Sequence, residues 1–415
     1  MPKNTDETAL GALPSPPAPT PTPTPAPTRT PHGTTPSTPR LIGVDLARGL
    51  AVFGMYAAHV GPDPSEGGAV GFLMELTHGR ASALFAFLAG FSIVLITGRS
   101  APKTGRAGRQ AVVKVVIRAV VLLVVGTALT LTGTPVEVIL AFYGLYFLLV
   151  LPLYRLGARP LALIAGASAL VLPQILYVVL RLLDTSEPGG VWTWPEDADG
   201  IVSLLFTGSY PALTWIPFVV AGMAVARLDL TATAVRVRLA LTGAALAVLG
   251  YGGSWLALRL VPGAIAAVGE SGWDDGGSAA SAWWSDIWGY PSGDTRYALL
   301  VASPHSETTL SIVGNTGVAV MVLVVCLAAV DAFPRFRRLA RPVVAVGSMS
   351  LTAYVLHVVG IDLLGIEELP GSPLHVLLGF LVAVTVFATL WSRFFRRGPL
   401  EWLLGKATKP AEWVR

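Results

Sequence analysis

The sequence predicts an all-α, polytopic integral membrane protein with about ten transmembrane helices. Hydrophobic residues make up 53% of its 415 residues and charged residues 13%, and the mean hydropathy is +0.64. A soluble domain of ordinary composition carries about 25% charged residues. The apolar residues fall in runs of about 20, the length that an α-helix needs to cross about 30 Å of hydrocarbon. A disordered chain, a coiled coil and a disulfide scaffold are excluded, the last because Cys326 is the single cysteine.

Residues 1–40 form a separate region that is rich in proline and threonine. They hold 12 of the 32 prolines and no apolar stretch. Such a segment favours extended conformers and cannot bury a core. It also lacks the apolar region of a signal peptide. We therefore expect residues 1–40 to be a retained, disordered cytoplasmic tail, in which His32 has no catalytic role.

Ten apolar runs follow this tail, and the run at 137–154 is the shortest. Together they predict a transmembrane domain over residues 41–398 and a cytoplasmic C-terminal tail over 399–415. The runs lie near 43–61, 79–97, 113–132, 137–154, 160–182, 209–227, 236–259, 309–330, 342–360 and 373–393.

The distribution of charge along the chain predicts its orientation. If the N-terminal tail is cytoplasmic, the segments on that side hold 24 of the 29 Lys and Arg residues. The loops on the opposite side hold 18 of the 25 Asp and Glu residues. Cytoplasmic loops of membrane proteins carry such an excess of Lys and Arg. Both termini are therefore predicted to be cytoplasmic, and the net charge of +4 indicates topology rather than nucleic-acid binding.

The largest loop, near 260–308, is predicted to be extracytoplasmic and is rich in tryptophan. Trp273, Trp283, Trp284 and Trp288 lie in it. Tryptophan concentrates at membrane interfaces, so these residues can form an interfacial belt on short amphipathic helices. Alternatively, the aromatic rings form a platform for a sugar.

The first predicted span contains three ionisable residues, Asp45, Arg48 and His59. A charged side chain at the bilayer centre costs on the order of 3 kcal/mol on insertion scales. Asp45 and Arg48 are three residues apart and can pair on one helix face. His59 follows on the same stripe as Arg48, roughly 16 Å nearer the outer surface. The pair is either a structural feature of the cytoplasmic mouth or part of a site.

The second predicted span opens with His78, Arg80 and Ser82. Because its connection to the first span is short, the two helices are antiparallel neighbours and His59 and His78 should approach each other. Gly90 and several alanines in this span allow close helix approach.

The other histidines also map to the predicted outer side. His305 precedes the eighth span, His375 starts the tenth, and Tyr354 and His357 share a stripe of the ninth. A neutral imidazole near pH 7 can accept a proton from an attacking amine or hydroxyl. No HxxxH, HxH or HExxH spacing indicates a metal site, and no Gly-rich phosphate loop or GxSxG motif occurs.

Several segments resemble the transmembrane acyltransferases related to heparan-alpha-glucosaminide N-acetyltransferase. RLIGVDLARGLAVFGMYAAH (40–59) is similar to the first-helix signature of that family, and HGRASALFAFLAGFS (78–92) to its second helix, which opens with a histidine. Further similar segments are TGSYPALTWIPFVVAGMAVARL, PHSETTLSIVGNTG, VGSMSLTAYVLH and GPLEWLL. These look closest to a bacterial, multi-spanning branch without assigned reactions. The resemblance extends from Arg40 to Lys406.

The resemblance implies an acyl-CoA-dependent acyltransferase of the bacterial plasma membrane. An acyl group, in the simplest case acetyl, would pass from cytoplasmic acyl-CoA to an amino or hydroxyl group of an extracytoplasmic sugar or glycan. By position, His78 matches the family's catalytic histidine, and Asp45 and Arg48 match its signature pair. His59 stands where the lysosomal relatives have an asparagine.

The resemblance leaves the details of the chemistry open. Transfer is either direct, in a ternary complex, or passes through an acyl-histidine. Arg80, His59 and Tyr354 are candidate oxyanion donors. His357 and His305 are supporting residues of the candidate site. Basic residues of the cytoplasmic loops are candidates for binding CoA phosphates, although the positive-inside rule alone also explains them. They are Arg99, Lys103, Arg106 and Arg109.

Two other classes of function compete with the acyltransferase. A transporter or lipid flippase also places ionisable residues inside a helical bundle, but it favours inverted repeats and broken helices, which the sequence does not indicate. A non-catalytic partner or sensor protein is the other class. The expected partners of the acyltransferase are the lipid bilayer, acyl-CoA and the glycan acceptor, with a homodimer left open and no metal or nucleic acid.

Overall fold

The computed structural model describes residues 41–99, 101–184, 199–271, 279–285 and 295–415. The predicted tail at 1–40 and the tryptophans Trp273 and Trp288 lie outside these residues. The described residues contain α-helices, short 3-10 and π-helical turns and no strand, which confirms the all-α class. The helices are α1 (Ile42–Val60), α2 (Gly68–Glu75), α3 (Arg80–Thr97), α4 (Gly105–Thr130), α5 (Ile139–Val150), α6 (Ala158–Asp184), α7 (Asp199–Val202), α8 (Ala212–Ala226), α9 (Thr233–Ala247), α10 (Gly253–Leu260), α11 (Ala264–Ser271), α12 (Thr309–Ala332), α13 (Pro334–Leu339), α14 (Arg341–Ser348), α15 (Ser350–Leu363), α16 (Leu374–Phe394) and α17 (Pro399–Ala407).

These helices are those of a multi-pass membrane protein. Within the described ranges, six helical segments are long and apolar enough to cross a membrane, or up to eight if each of two bent pairs is one span. Two further predicted spans correspond to α1, which carries charged residues, and α5, whose 12 residues extend for only about 18 Å. The number of ten spans therefore stays a prediction that depends on α1 and α5.

The predicted span at 342–360 is broken, and a second sharp bend lies at the start of the span at 209–227, so the absence of broken helices inferred from the sequence was wrong. Residues 200–207 meet α8 at 67°, and α14 meets α15 at 85°. Pro211 precedes α8, and proline interrupts a helix because it lacks the backbone N–H. Met349, at φ −129° and ψ 42°, leaves helical geometry between α14 and α15. Hydropathy did not reveal the break at Met349 because the apolar run at 342–360 continues through it.

Helix α1 lies at the centre of the bundle. It packs against α3, α12, α14, α15 and α16, and most of its residues are buried. Gly347 lets α14 lie directly on α1, since a Cβ there would be 1.8 Å from the carbonyl oxygen of Asp45. Gly90 has the same effect between α3 and α8, where a Cβ would be 1.8 Å from the carbonyl oxygen of Val219. The predicted role of Gly90 in close helix approach is thus confirmed.

Helices α4, α6 and α9 expose large apolar side chains. The exposed fractions are 63% for Val124, 73% for Leu163 and 67% for Leu241. Apolar patches of this extent are rare on soluble monomers, whereas lipid tails solvate them without cost. These helices therefore form the lipid-facing periphery of the bundle.

The C-terminal segment is folded rather than a loose tail. Helix α17 is followed by a 3-10 turn at Lys409–Trp413 that packs against α4. The Glu401 carboxylate accepts hydrogen bonds from the backbone amides of Leu351 (2.8 Å) and Thr352 (3.2 Å) and from the Thr352 hydroxyl (2.6 Å). Free amides at a helix N-terminus favour a negative charge. Glu401 therefore caps α15 at the break.

Replacing Glu401 with alanine removes these hydrogen bonds and leaves two amides uncapped. We expect Glu401→Ala to destabilise the fold by about 1–2 kcal/mol, the usual cost of a lost helix cap. The Tm in detergent measures the difference. Glu412→Ala is the matched control, because this acid pairs with Lys114 at 3.5 Å near the surface, and such pairs contribute about 0–1 kcal/mol. Equal Tm values for the two variants would contradict the capping role.

Candidate functional site

A cavity of about 920 Å³ lies at the predicted extracytoplasmic ends of α1 and α3, and we call it the outer cavity. The predicted approach of His59 and His78 is present, because both residues line it. Three imidazoles and three carboxyl groups line the cavity, and none of the described lining residues is lysine or arginine. The ionisable residues are His59, His78, His305, Asp63, Glu137 and Glu307, together with the phenol of Tyr210.

His59 is hydrogen-bonded to His357 of α15. Nδ1 of His59 lies 2.9 Å from Nε2 of His357, and the two rings are nearly parallel, at an angle of 10°. Nδ1 of His357 lies 2.5 Å from the carbonyl oxygen of Tyr354, one turn earlier in α15. His357 is buried and is not part of the lining of the outer cavity. It therefore contacts the site through His59.

Glu307 brings a buried carboxyl group to the same cavity. Trp215 Nε1 donates to Oε1 at 2.8 Å, and the Thr214 hydroxyl donates to Oε2 at 2.8 Å. Burial raises the pKa of Glu307 to about 8, and the two hydrogen bonds oppose that rise without cancelling it. The Glu307 carboxyl group can therefore hold or release a proton near neutral pH.

The loop before α12 has an uncommon backbone conformation. His305 and Glu307 have φ values of 53° and 57°, a left-handed region that costs residues other than glycine on the order of 1–3 kcal/mol. The His305 ring packs edge-on against Tyr210 at 5.5 Å and lies 5.9 Å from the Trp215 ring. The packing of these rings holds the strained loop, so that His305 and Glu307 both reach the outer cavity.

Arg80 lies beside the outer cavity but does not line it. Its guanidinium donates to the carbonyl oxygens of Glu75 (2.9 Å), His78 (3.3 Å) and Trp284 (2.5 Å), and it lies 5.2 Å from the Tyr251 ring. These contacts fix the turn between α2 and α3 and attach the tryptophan-containing loop to it. The role of Arg80 as an oxyanion donor stays a prediction.

A second cavity of about 290 Å³, the inner cavity, lies at the predicted cytoplasmic ends of α1 and α3. The predicted Asp45–Arg48 pair is present at 3.1 Å, and Arg48 also donates to the Ser92 hydroxyl at 2.7 Å. Arg118 of α4 lines the cavity too, and its buried Nε has no hydrogen-bond partner among the described residues. Arg397 adds a further positive charge near Arg118. The lining also contains the carboxylate of Glu401, which is bonded to backbone amides of α15. The two guanidinium groups of Arg48 and Arg118 are therefore the part of the inner cavity that suits an anion.

Helix α3 lines both cavities. Ser82 faces the outer cavity, and Phe85, Ala89 and Ser92 follow at helical spacing along the inner cavity. In the lining of the inner cavity, Phe85 stacks on Tyr143 with ring centroids 5.6 Å apart. The Tyr143 hydroxyl donates to the carbonyl oxygen of Ser82 at 3.4 Å. Tyr143 thus connects the lining of the inner cavity to Ser82, which lines the outer cavity.

The four basic residues predicted to bind CoA phosphates are not in the lining of the inner cavity. Lys103 donates to a carbonyl oxygen of α3, and Arg106 and Arg109 donate to carbonyl oxygens at the C-terminal end of the chain. The carbonyl oxygen of Arg99 accepts from Arg227 at 3.2 Å. Their role in CoA binding stays a prediction.

Sequence reasoning missed Glu307 and Arg118, which line these cavities, and Trp215, which donates a hydrogen bond to Glu307. Glu307 had a detectable signal, because it stands two residues after His305 at the start of a span. Arg118 lies within the predicted span near 113–132, but its charge was counted with the cytoplasmic segments and not assigned to a site. Nothing in the sequence distinguishes Trp215 from the other tryptophans. No group of three or more side chains suited to a metal ion is found in the described part of the chain.

Two protein families match the chain. Residues 40–255, just over half of it, match the family described as heparan-alpha-glucosaminide N-acetyltransferase, catalytic. Residues 279–410 match the family described as protein of unknown function (DUF418). No curated protein matches significantly. The outer cavity takes His59 and His78 from the first segment and His305 and Glu307 from the second.

Replacing Glu307 with glutamine removes the titrating group and keeps a side chain of similar shape. Folding raises the pKa of Glu307 from 4.5 to about 8, so the folded protein binds this proton more tightly than the unfolded chain. The wild type should therefore lose stability as the pH rises from about 4.5 through about 8, and Glu307→Gln should lack this loss. Tm values measured across this pH range test it. Parallel curves for the two proteins would contradict the raised pKa.

Proposed function

Because the chain belongs to the family of the heparan-alpha-glucosaminide N-acetyltransferase catalytic domain, we propose that it is an acyl-CoA-dependent transmembrane acyltransferase. It would move an acyl group, in the simplest case acetyl, from cytoplasmic acyl-CoA to an amino or hydroxyl group of an extracytoplasmic sugar or glycan. The proposed location is a bacterial plasma membrane, with both termini cytoplasmic. The observation that carries the proposal is the pair of cavities at opposite ends of α1 and α3.

The inner cavity supports binding of the donor. Guanidinium groups bind phosphate through two parallel hydrogen bonds, and Arg118 has donors without a partner among the described residues. With the CoA phosphates at Arg118 and Arg48, the pantetheine arm would follow α3 toward the outer cavity. The Phe85–Tyr143 ring pair lines the inner cavity and would have to move aside for the arm.

The outer cavity supports binding and activation of the acceptor. An imidazole there takes the proton of the acceptor's amino or hydroxyl group as that group attacks the thioester carbonyl carbon. The new C–N or C–O bond forms, the C–S bond breaks, and the imidazolium returns the proton to the CoA thiolate. The resemblance makes His78 the candidate for the family's catalytic histidine, and this residue lines the cavity, as Ser82 does. We favour direct transfer over an acyl-histidine.

The two helix breaks support a second candidate function. Broken helices at membrane depth are typical of transporters, whose substrates bind at the break. The breaks before α8 and between α14 and α15 fit that class. In that case Asp45, Arg48 and His59 would line a translocation path. Flux of a substrate without its modification would identify the transporter.

Release of CoA thiol from acyl-CoA tests the proposed function on the purified protein in detergent. With a panel of amino sugars and glycans, we expect acceptor-dependent release by the wild type. His78→Ala should lower it by about 10²- to 10⁴-fold, the usual contribution of a general base. His375→Ala, at an exposed histidine, is the matched control. No release with any acceptor, and no thermal stabilisation by acyl-CoA, would reject the acyltransferase in favour of the transporter.

Two arginine variants test where the donor phosphates bind. Arg118→Gln should raise the KM for acyl-CoA at least tenfold, because a hydrogen-bonded ion pair with a phosphate contributes about 1.5–3 kcal/mol. Arg109→Gln should leave the KM within about twofold, because this exposed residue bonds a backbone carbonyl outside the inner cavity. The reverse result would assign the phosphates to the basic loop rather than to the inner cavity.

A further inference from the structure

We propose that His357 is a positioning residue for His59, and that it fixes His59 in the tautomer whose Nε2 accepts the proton of the acceptor nucleophile. This inference rests on the proposed acyl transfer. It assigns the proton-accepting nitrogen of the outer cavity to His59, which is the alternative to His78 as the primary base.

His357 is held rigidly in the bundle. Its side chain is buried, with Tyr56 stacked on one face at 4.6 Å and the Tyr354 ring edge-on at 5.0 Å. The Tyr56 ring is itself fixed, because its hydroxyl donates to the carbonyl oxygen of Ala353 at 2.7 Å. Turning the His357 ring would break its hydrogen bonds to Tyr354 and His59.

The hydrogen bonds of His357 determine where the protons lie. The carbonyl oxygen of Tyr354 can only accept, so Nδ1 of His357 carries a hydrogen. A neutral imidazole then has a lone pair on Nε2, and this nitrogen accepts the hydrogen on Nδ1 of His59. With Nδ1 protonated, neutral His59 has its lone pair on Nε2.

This lone pair is available to a substrate. Nε2 of His59 has no hydrogen-bond partner within the described ranges, and His59 lines the outer cavity. As the acceptor's N–H or O–H group attacks the thioester carbon, its proton passes to Nε2. The C–S bond then breaks, and the proton passes on to the thiolate sulfur. The hydrogen bond to His357 directs Nδ1–H of the imidazolium throughout, as the oriented histidine of a catalytic triad requires.

Three variants of His357 separate positioning from structure. His357→Phe keeps a ring of similar volume and removes both hydrogen bonds, and we expect it to lower kcat about 100-fold with both KM values within twofold. In His357→Gln the side-chain oxygen can accept the hydrogen bond from Nδ1 of His59. The kcat of this variant should therefore be at least tenfold higher than that of His357→Phe. His357→Asn, which is too short to reach, should not show this increase. His375→Gln is the matched control and should match the wild type.

A double variant tests whether His357 acts through His59. His59→Ala combined with His357→Phe should be no slower than His59→Ala alone, because residues that act as a unit are not additive. If the rate of the double variant falls by the product of the two single-variant factors, the proposal is overturned. A kcat of His357→Phe within threefold of the wild type would overturn it as well. If His357→Phe does not fold, equal rates for the Gln and Asn variants would overturn it.

Chemical labelling tests the same arrangement without acyl transfer. Diethyl pyrocarbonate modifies the unprotonated nitrogen of histidine, and peptide mass spectrometry follows each site. His59 should react at least fivefold faster in the wild type than in His357→Asn, with His375 reacting equally in both. Equal rates at His59 would overturn the proposal. If the wild type transfers no acyl group but His59 shows this difference, the proposed function fails while the orientation of His59 by His357 holds.

Discussion

The free-energy cost of placing ionisable side chains in hydrocarbon determines how this bundle is arranged. Helix α1 carries Asp45, Arg48 and His59, and an unpaired charge among them would cost on the order of 3 kcal/mol at the bilayer centre. The helix lies at the centre of the bundle, where protein surrounds it and each group has a polar partner. Helices α4, α6 and α9 present their apolar side chains to lipid. The residues that make α1 the least apolar of the predicted spans are thus the reason for its central position.

The break between α14 and α15 connects this constraint to the outer cavity. A helix that ends inside the bundle leaves backbone groups without partners, and these are costly away from water. Glu401 satisfies the amides of Leu351 and Thr352, so α15 can begin at the break and run in its own direction. That direction places His357 within hydrogen-bond distance of His59. The C-terminal segment, at the predicted cytoplasmic side, therefore supports the geometry at the opposite end through one rigid helix.

The outer cavity is lined by residues from both segments that match a protein family, 40–255 and 279–410. The first contributes α1 and α3, with His59 and His78, and the second contributes the strained loop before α12, with His305 and Glu307. Glu307 is held by Trp215 and Thr214, which belong to the first segment. The two segments thus contact each other through polar groups at the cavity itself. A reaction in the outer cavity depends on residues from both.

The sequence by itself determined the all-α membrane class, the central polar residues of α1 and the proximity of His59 and His78. It could do so because hydropathy, helical spacing and a short connection act locally along the chain. The pairing of Asp45 with Arg48 was predictable for the same reason. The partner of His59, the buried position of Arg118 and the capping of α15 by Glu401 depend on helices far apart in sequence. Only the tertiary structure decided them. The direction of each helix depends on where the helix breaks and on where a glycine lets two helix backbones come into contact.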